Sequence, residues 1–548
     1  GLRPQRDQKY ARRERTTIMT PSVLRGEWPA SALPRCAIYV HDITNGTGWK
    51  RDVGKWTPPD WESNQFAQEL WLQRALEAHP WRVDDPQDAD VIFLKANFSL
   101  MCVKKFLYGT RSLWGTMLER DRAAPLLWTP TRRHRRPVPK VAVLTTGCMP
   151  PWSSRPEPVP TDVLRVRDMG VPFLTSVVAP AVQLAHSWPV LHSSVGGWRT
   201  RKLLFFAGHV PKLQISRLRY MIWRQVRNIG DVTALSSTLD CTVGAYHICR
   251  SAARLQDGVS YKSFCYPRCN RPWVELKPDG SPTRHFECVR SEGLLRKVCA
   301  SFRDVNFSAE LSDMARDTRT LAHSEYLKMA MSHRFCIAAP GDFISTPKIT
   351  EFVAVAAAGG CLPLIVLPDD AVGRRVGVMR IKHPNAFARW NAVEASRRPS
   401  FERWLALEHH VASMLPFSRW IDYCSMGYFI SASTAGRHIA EILPLLRAVG
   451  PREFASKRAA ARRVRAAFFY RGAHHRGHRI RRARTTGDPT EPGVTEAQVG
   501  AEDFVLGEIC DRAAAFNNAS NSSAEPLEVA ATATRLAQCL LLPSGFDR

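Results

Sequence analysis

Apolar and polar positions along this chain fall into two alternating patterns: short unbroken apolar runs, and longer stretches with apolar residues every third or fourth position. The two meet most clearly between Ser332 and Asp370. Phe335 to Ala339 is an apolar run that stops at the breaker pair Pro340-Gly341 and predicts a strand. Thr346 is a good helix N-cap, and Pro347 suits the first helical position, where its missing N–H costs nothing. Ile349, Phe352, Val353 and Ala356 then form an apolar stripe at helical spacing, closed by Gly359-Gly360. Leu362 to Leu367 reads as a buried parallel strand.

The same alternation recurs on both sides. Cys36 to Val40 predicts a first strand leading into His41-Asp42-Ile43, and Asn64 to Ala78 an amphipathic helix through Phe66, Leu70, Leu72 and Leu76. Asp85-Pro86 opens a turn before the strand Val91 to Leu94. A helix from about Ser112, a strand at Val141 to Leu144 and a short strand at Val171 to Val178 follow, then a Pro- and Trp-rich linker from Ala179 to Trp198. Leu203 to Gly208 begins a second strand–loop–helix unit, with Arg217, Leu218 and Arg219 starting the helix. Tyr428 to Ile430 is a late strand, and helices are expected at His438 to Val449 and Pro451 to Tyr470. Strands alternating with helical patterns predict an α/β class with parallel sheets.

In such a fold, crossovers are right-handed and ligands bind beyond the carboxyl ends of the strands. That rule places Gly341, Asp342, Ser345, Thr346, Lys348 and Glu351 at a candidate ligand site. The helix start offers N–H groups and a partial positive charge to a phosphate, Lys348 adds a cation, and Glu351, off the apolar stripe, suits ribose hydroxyls. The bland alternative is a crossover whose first turn is merely solvated, because strand–helix–strand units are common. Asp88-Ala89-Asp90 has the spacing of a metal-holding pair, but Asp90 enters its strand at the end opposite a switch-point ligand, and a turn role is favoured.

The 548 residues suffice for two or three domains, and the formal charge of +27 gathers before Arg15, at Arg132 to Arg136, and between Lys457 and Arg484. No aromatic-basic motif accompanies that charge, so nucleic acid ranks last among anionic partners. Fourteen cysteines and the sequons at Asn45, Asn97, Asn306, Asn518 and Asn521 suit a secretory lumen. Six of those cysteines, Cys241, Cys249, Cys265, Cys269, Cys288 and Cys299, predict a disulfide-stapled insertion. Zinc held by Cys265, Cys269, His285 and Cys288 is disfavoured by poor spacing. The longest apolar run, Phe352 to Pro368, is interrupted by Gly359, Gly360 and Pro363, and no transmembrane helix is expected.

Several motifs together resemble the exostosin family, glycosyltransferase family 47. They are Ser332, Phe335-Cys336 and Pro340-Gly341; Ser345-x-Pro347-Lys348-x-x-Glu351; Gly360-Cys361-x-Pro363-x-Ile365; Asp85-Pro86 with Ala89-Asp90; Phe205-Phe206-Ala207-Gly208; and Leu415-Pro416-Phe417. The resemblance spans roughly Arg35 to Tyr470 and departs at Lys95-Ala96-Asn97 and at Lys348, where the family often has arginine. It implies a GT-B fold: two Rossmann-like domains facing across a cleft, with a C-terminal helical return and disordered tails. The boundaries expected are a basic stem (1–33), an acceptor-side domain (34–195), a nucleotide-sugar domain (200–435) with the Cys-rich insertion at about 231–300, returning helices (436–470) and a disordered tail (471–548).

The implied activity is inverting transfer of a sugar from a UDP-sugar to a glycan acceptor, with no metal or other cofactor required. Gly208 and Arg219 (less readily Arg217) would join the Gly341 to Glu351 group around the nucleotide, and Asp42 or His41 would serve as general base. The resemblance also implies a Golgi lumen location as a type II membrane protein whose anchor is not in this sequence, and hetero- or homo-oligomers with other glycosyltransferases. Two alternatives stay open: a catalytically silent scaffold, and a binder of anionic polysaccharide through the basic run from Lys457 to Arg484.

Overall fold

The computed structural model describes residues 33–42, 68–77, 79–95, 140–142, 163–165, 200–208, 217–236, 239–252, 265–267, 286–288, 299, 310–319, 321, 323–339, 348–367, 415–417, 421–468, 500–518 and 539–541. The first sheet takes β1 (Ile38–Asp42), helix α1 (Gln68–Glu77), β2 (Arg82–Val83), β3 (Val91–Lys95), β4 (Lys140–Ala142) and β5 (Val163–Arg165). Its spatial order is β2-β1-β3-β4-β5 and every pairing is parallel. The chain then continues through β6 (Lys202–Ala207), α2 (Arg217–Val226), β7 (Val232–Leu235) and α3 (Leu239–Ala252). A small antiparallel hairpin, β8 (Cys265–Pro267) and β9 (Phe286–Cys288), lies in the predicted insertion.

Next come α4 (Leu311–Asp317), α5 (His323–Met331), β10 (His333–Ala338), α6 (Lys348–Ala357), β11 (Leu362–Leu367) and β12 (Tyr428–Ser431). The second sheet runs β12-β11-β10-β6-β7, again all parallel. Counted in chain order within each sheet, both follow 2-1-3-4-5, the doubly wound order whose direction reverses between strands 1 and 3. The reversal falls between β1 and β3 in one sheet and between β6 and β10 in the other. A mixed α/β fold built on two parallel sheets is therefore what the alternating pattern produces.

The central strands carry the core because both faces of a parallel sheet are covered. Phe93, Phe205, Phe335 and Phe429 are fully buried, one from each of four strands. Helix α6 ends as its two glycines predict: Gly359 adopts φ 104°, its N–H reaches the Ala356 carbonyl at 3.0 Å, and the Gly360 N–H reaches Val355 at 2.8 Å. Pro363 lies at the start of a strand with neighbours on both sides, where a proline is unusual. Gly427 makes it possible, since a Cβ there would stand 2.5 Å from the Pro363 carbonyl oxygen.

The C-terminal part departs from expectation in two respects. The helix predicted from His438 is preceded by a short one, α7 (Ala432–Arg437), whose N-cap Ser431 accepts from the Thr434 N–H, before α8 (Ile439–Ala448) and α9 (Pro451–Val464). More consequentially, the region beyond 471 is not a tail throughout: Ala501–Asn518 forms α10, with Phe504, Val505, Leu506 and Ile509 buried. Cys510 is bonded to Cys36 just before β1, His79 and Asp503 meet at 3.0 Å, and the tilted rings of Phe504 and Phe417 have centres 5.1 Å apart. Further on, Cys539 is bonded to Cys424, and Leu541 donates to the Phe429 carbonyl at 2.8 Å. Long-range partners, invisible to local periodicity, order this segment. The predicted stem residues 1–32, the helix from Ser112, the strand Val171 to Val178 and the linker at 179–198 lie outside the described residues.

Candidate functional site

The second sheet's reversal point is built from small residues at strand ends and long polar ones from the helices. Strand β6 ends at Ala207-Gly208, and β10 at Ala338-Ala339. The Arg219 guanidinium, in the first turn of α2, lies across this gap: its Nη2 donates to the Ala339 carbonyl at 3.0 Å, and its Nη1 would stand 3.7 Å from a Cβ at Gly208. Arg219, the arginine preferred in the sequence, thus lies at the reversal point.

Helix α6 begins at Lys348 on the other side of β10. The Lys348 ammonium donates to Glu351 Oε2 at 2.8 Å and sits 3.8 Å from the centre of the Tyr326 ring. Tyr326, from α5, is buried between Phe205 and Phe352, with ring centres 5.5 and 6.1 Å away. Burial, then the charge of Glu351, push its phenol well above the usual value, against a smaller pull downward from Arg219. Arg219, Tyr326, Lys348 and Glu351 thus form one polar group drawn from three helices.

Glu351 differs from its sequence reading. Off the apolar stripe it was read as free to accept from ribose hydroxyls, yet it is 5 % exposed, and every residue from Ile349 to Ala357 is buried. The cause is tertiary: α6 is enclosed by the second sheet, α5 and α9, so it has no solvated face. Its carboxylate accepts from the Lys348 ammonium. Tyr326 was missed by sequence reasoning; a tyrosine at the buried face of an amphipathic helix gives no local sign that its hydroxyl borders a charged group.

Gly341, Asp342, Ser345 and Thr346 lie outside the described residues. His41 and Asp42 end β1 at the first sheet's reversal point, paired with Leu94 and Lys95 of β3, and both are half-buried. Tyr39 stacks near His41 with ring centres 6.4 Å apart. The alternative pair in this sheet is structural: Asp85, not Asp88, caps the short turn by accepting from the Gln87 N–H, while Asp90 accepts from the Ala37 N–H at 2.7 Å. Among the described residues no group of three or more His, Cys, Asp or Glu is placed to hold a metal ion. In the insertion, Cys249 is bonded to Cys299, and the hairpin register sets Cys265 opposite Cys288.

No protein-family model, no curated protein and no solved structure matches the chain. No helix among the described residues is long and apolar enough to cross a membrane.

Proposed function

We propose that this chain is an inverting glycosyltransferase of the GT-B arrangement, akin to the exostosin family, that moves a sugar from a UDP-sugar to a glycan acceptor. The observation that carries the proposal is the position of Arg219, a guanidinium at the carboxyl ends of β6 and β10, where doubly wound sheets receive their ligands. A guanidinium matches diphosphate oxygens in a bidentate way, and Lys348 supplies a second cation. The acceptor hydroxyl loses its proton to Asp42 or His41 and attacks the anomeric carbon. The bond from that carbon to the diphosphate oxygen breaks, and UDP leaves with the charge.

Arg219, Lys348 and the positive end of α6 stabilise that charge as it develops, without calling for a divalent ion. Glu351, whose carboxylate also accepts from Lys348, holds the ribose. The Golgi lumen, a glycan acceptor and assembly with other glycosyltransferases belong to the same proposal. A second reading, the catalytically silent scaffold, is favoured by one feature, the engagement of Lys348 by Glu351 and Tyr326.

Titration calorimetry with UDP, and GDP as control, separates the two. UDP should bind the purified chain in preference to GDP, and Arg219→Ala should weaken UDP by at least about tenfold, the size of a lost charge-assisted hydrogen bond. Absence of UDP binding at millimolar concentration refutes nucleotide-sugar chemistry, and equal UDP affinity in Arg219→Ala removes the residue on which it rests.

A further inference from the structure

We infer that Tyr326 is the positioning residue of the diphosphate site, acting through Lys348; this rests on the nucleotide-sugar reading above. The ammonium stands 3.8 Å from the ring centre, a close approach for a cation over an aromatic face. The ring cannot move aside, because Phe205 and Phe352 flank it and Tyr326 is only 6 % exposed. Lys348 itself is about a quarter exposed, at 23 % of its side chain, so the ring holds a cation that solvent or an anion still reaches. A lysine is a point charge on a flexible stem, and its value to a phosphate depends on how little it must be ordered on binding. Here the ring and the Glu351 carboxylate, at 2.8 Å, together hold the ammonium at the first turn of α6 before any ligand arrives.

Tyr326 thus joins the site by what it does to Lys348, and its hydroxyl, buried against Glu351, borders the same pair.

Reductive ¹³C-methylation of the lysines gives a direct readout, with the Lys348 signal assigned by its loss in Lys348→Arg. In the wild-type protein that signal should be shifted upfield by the ring. Tyr326→Phe should keep the shift, and Tyr326→Leu should abolish it. Calorimetry on the same proteins compares UDP with uridine, which lacks the phosphates. Tyr326→Leu should weaken UDP by about tenfold and leave uridine unchanged, while Tyr326→Phe keeps both affinities within about twofold. An unshifted Lys348 signal in the wild type, or equal weakening of UDP and uridine in Tyr326→Leu, overturns the inference. Should wild-type protein bind neither UDP nor uridine, the nucleotide reading fails, and inorganic pyrophosphate tests the seat alone. Weaker pyrophosphate binding in Tyr326→Leu than in the wild type sustains it, and no difference overturns it.

Discussion

Removing the Cys36–Cys510 bond should destabilise the protein by about 2–4 kcal/mol, the usual range for a native disulfide. The two cysteines are 474 residues apart, one just before β1 and the other within α10. In the chain-entropy account a loop of that length corresponds to about 6 kcal/mol at 25 °C, an upper bound that native strain and residual structure reduce. The Cys249–Cys299, Cys336–Cys361 and Cys424–Cys539 bonds shorten the effective loop. Because closure entropy grows only logarithmically, even halving the loop would change the figure by about 0.6 kcal/mol.

The assay is urea unfolding followed by tryptophan fluorescence, on Cys36→Ser, Cys510→Ala and the double variant. Each single change breaks the same bond, so the three midpoints should nearly coincide, a non-additive result. Helix α10 keeps its other anchors, the His79–Asp503 pair and the packing of Phe504, so the variants should still fold. A loss below about 1 kcal/mol, single effects that add, or free-thiol titration that finds Cys36 reduced in the native protein would each refute the reasoning.

Two further outcomes follow from buried groups. His333 is enclosed beside Phe205, with its ring nitrogens near the Met329 carbonyl at 2.6 Å and the Thr233 hydroxyl at 2.9 Å, and burial lowers its pKa to about 4 from an ordinary 6.5. Below pH 6.5 the unfolded chain binds the proton that the folded one refuses, so stability falls as pH drops from 6.5 to 4, by about 3 kcal/mol from this group. The slope should flatten in His333→Gln when unfolding is measured across that window, and an unaltered slope would exclude His333 as its source. Gly427→Ala should cost about 2 kcal/mol or more, because the added methyl meets the Pro363 carbonyl at 2.5 Å and its ring at 2.8 Å, atoms locked between two strands. A thermal melt unchanged by that substitution would mean that β11 and β12 can separate freely.

Where local chemistry decides the outcome, the sequence was legible. Phe335 to Ala338 and Leu362 to Leu367 became strands because unbroken apolar runs have no solvated face to offer. Gly359 ended α6 because the required left-handed turn excludes most other residues. Arg219 was preferred to Arg217 through the family resemblance, and it lies beside the end of β6. Short strands were harder to place: Val163–Arg165, which closes the first sheet, has three residues and little pattern.

By itself, then, the order of apolar runs and breakers determined the α/β class, most of the strands and the position of the candidate site at strand ends. The tertiary structure alone decided that Glu351 is buried, that Tyr326 lies under Lys348, and that α10 is an integral helix tied to the start of the chain. The physical reason is the same in each case. Periodicity and turn chemistry act over a few residues, whereas burial, ring contacts and disulfides depend on partners that lie far away along the chain and come close only after folding.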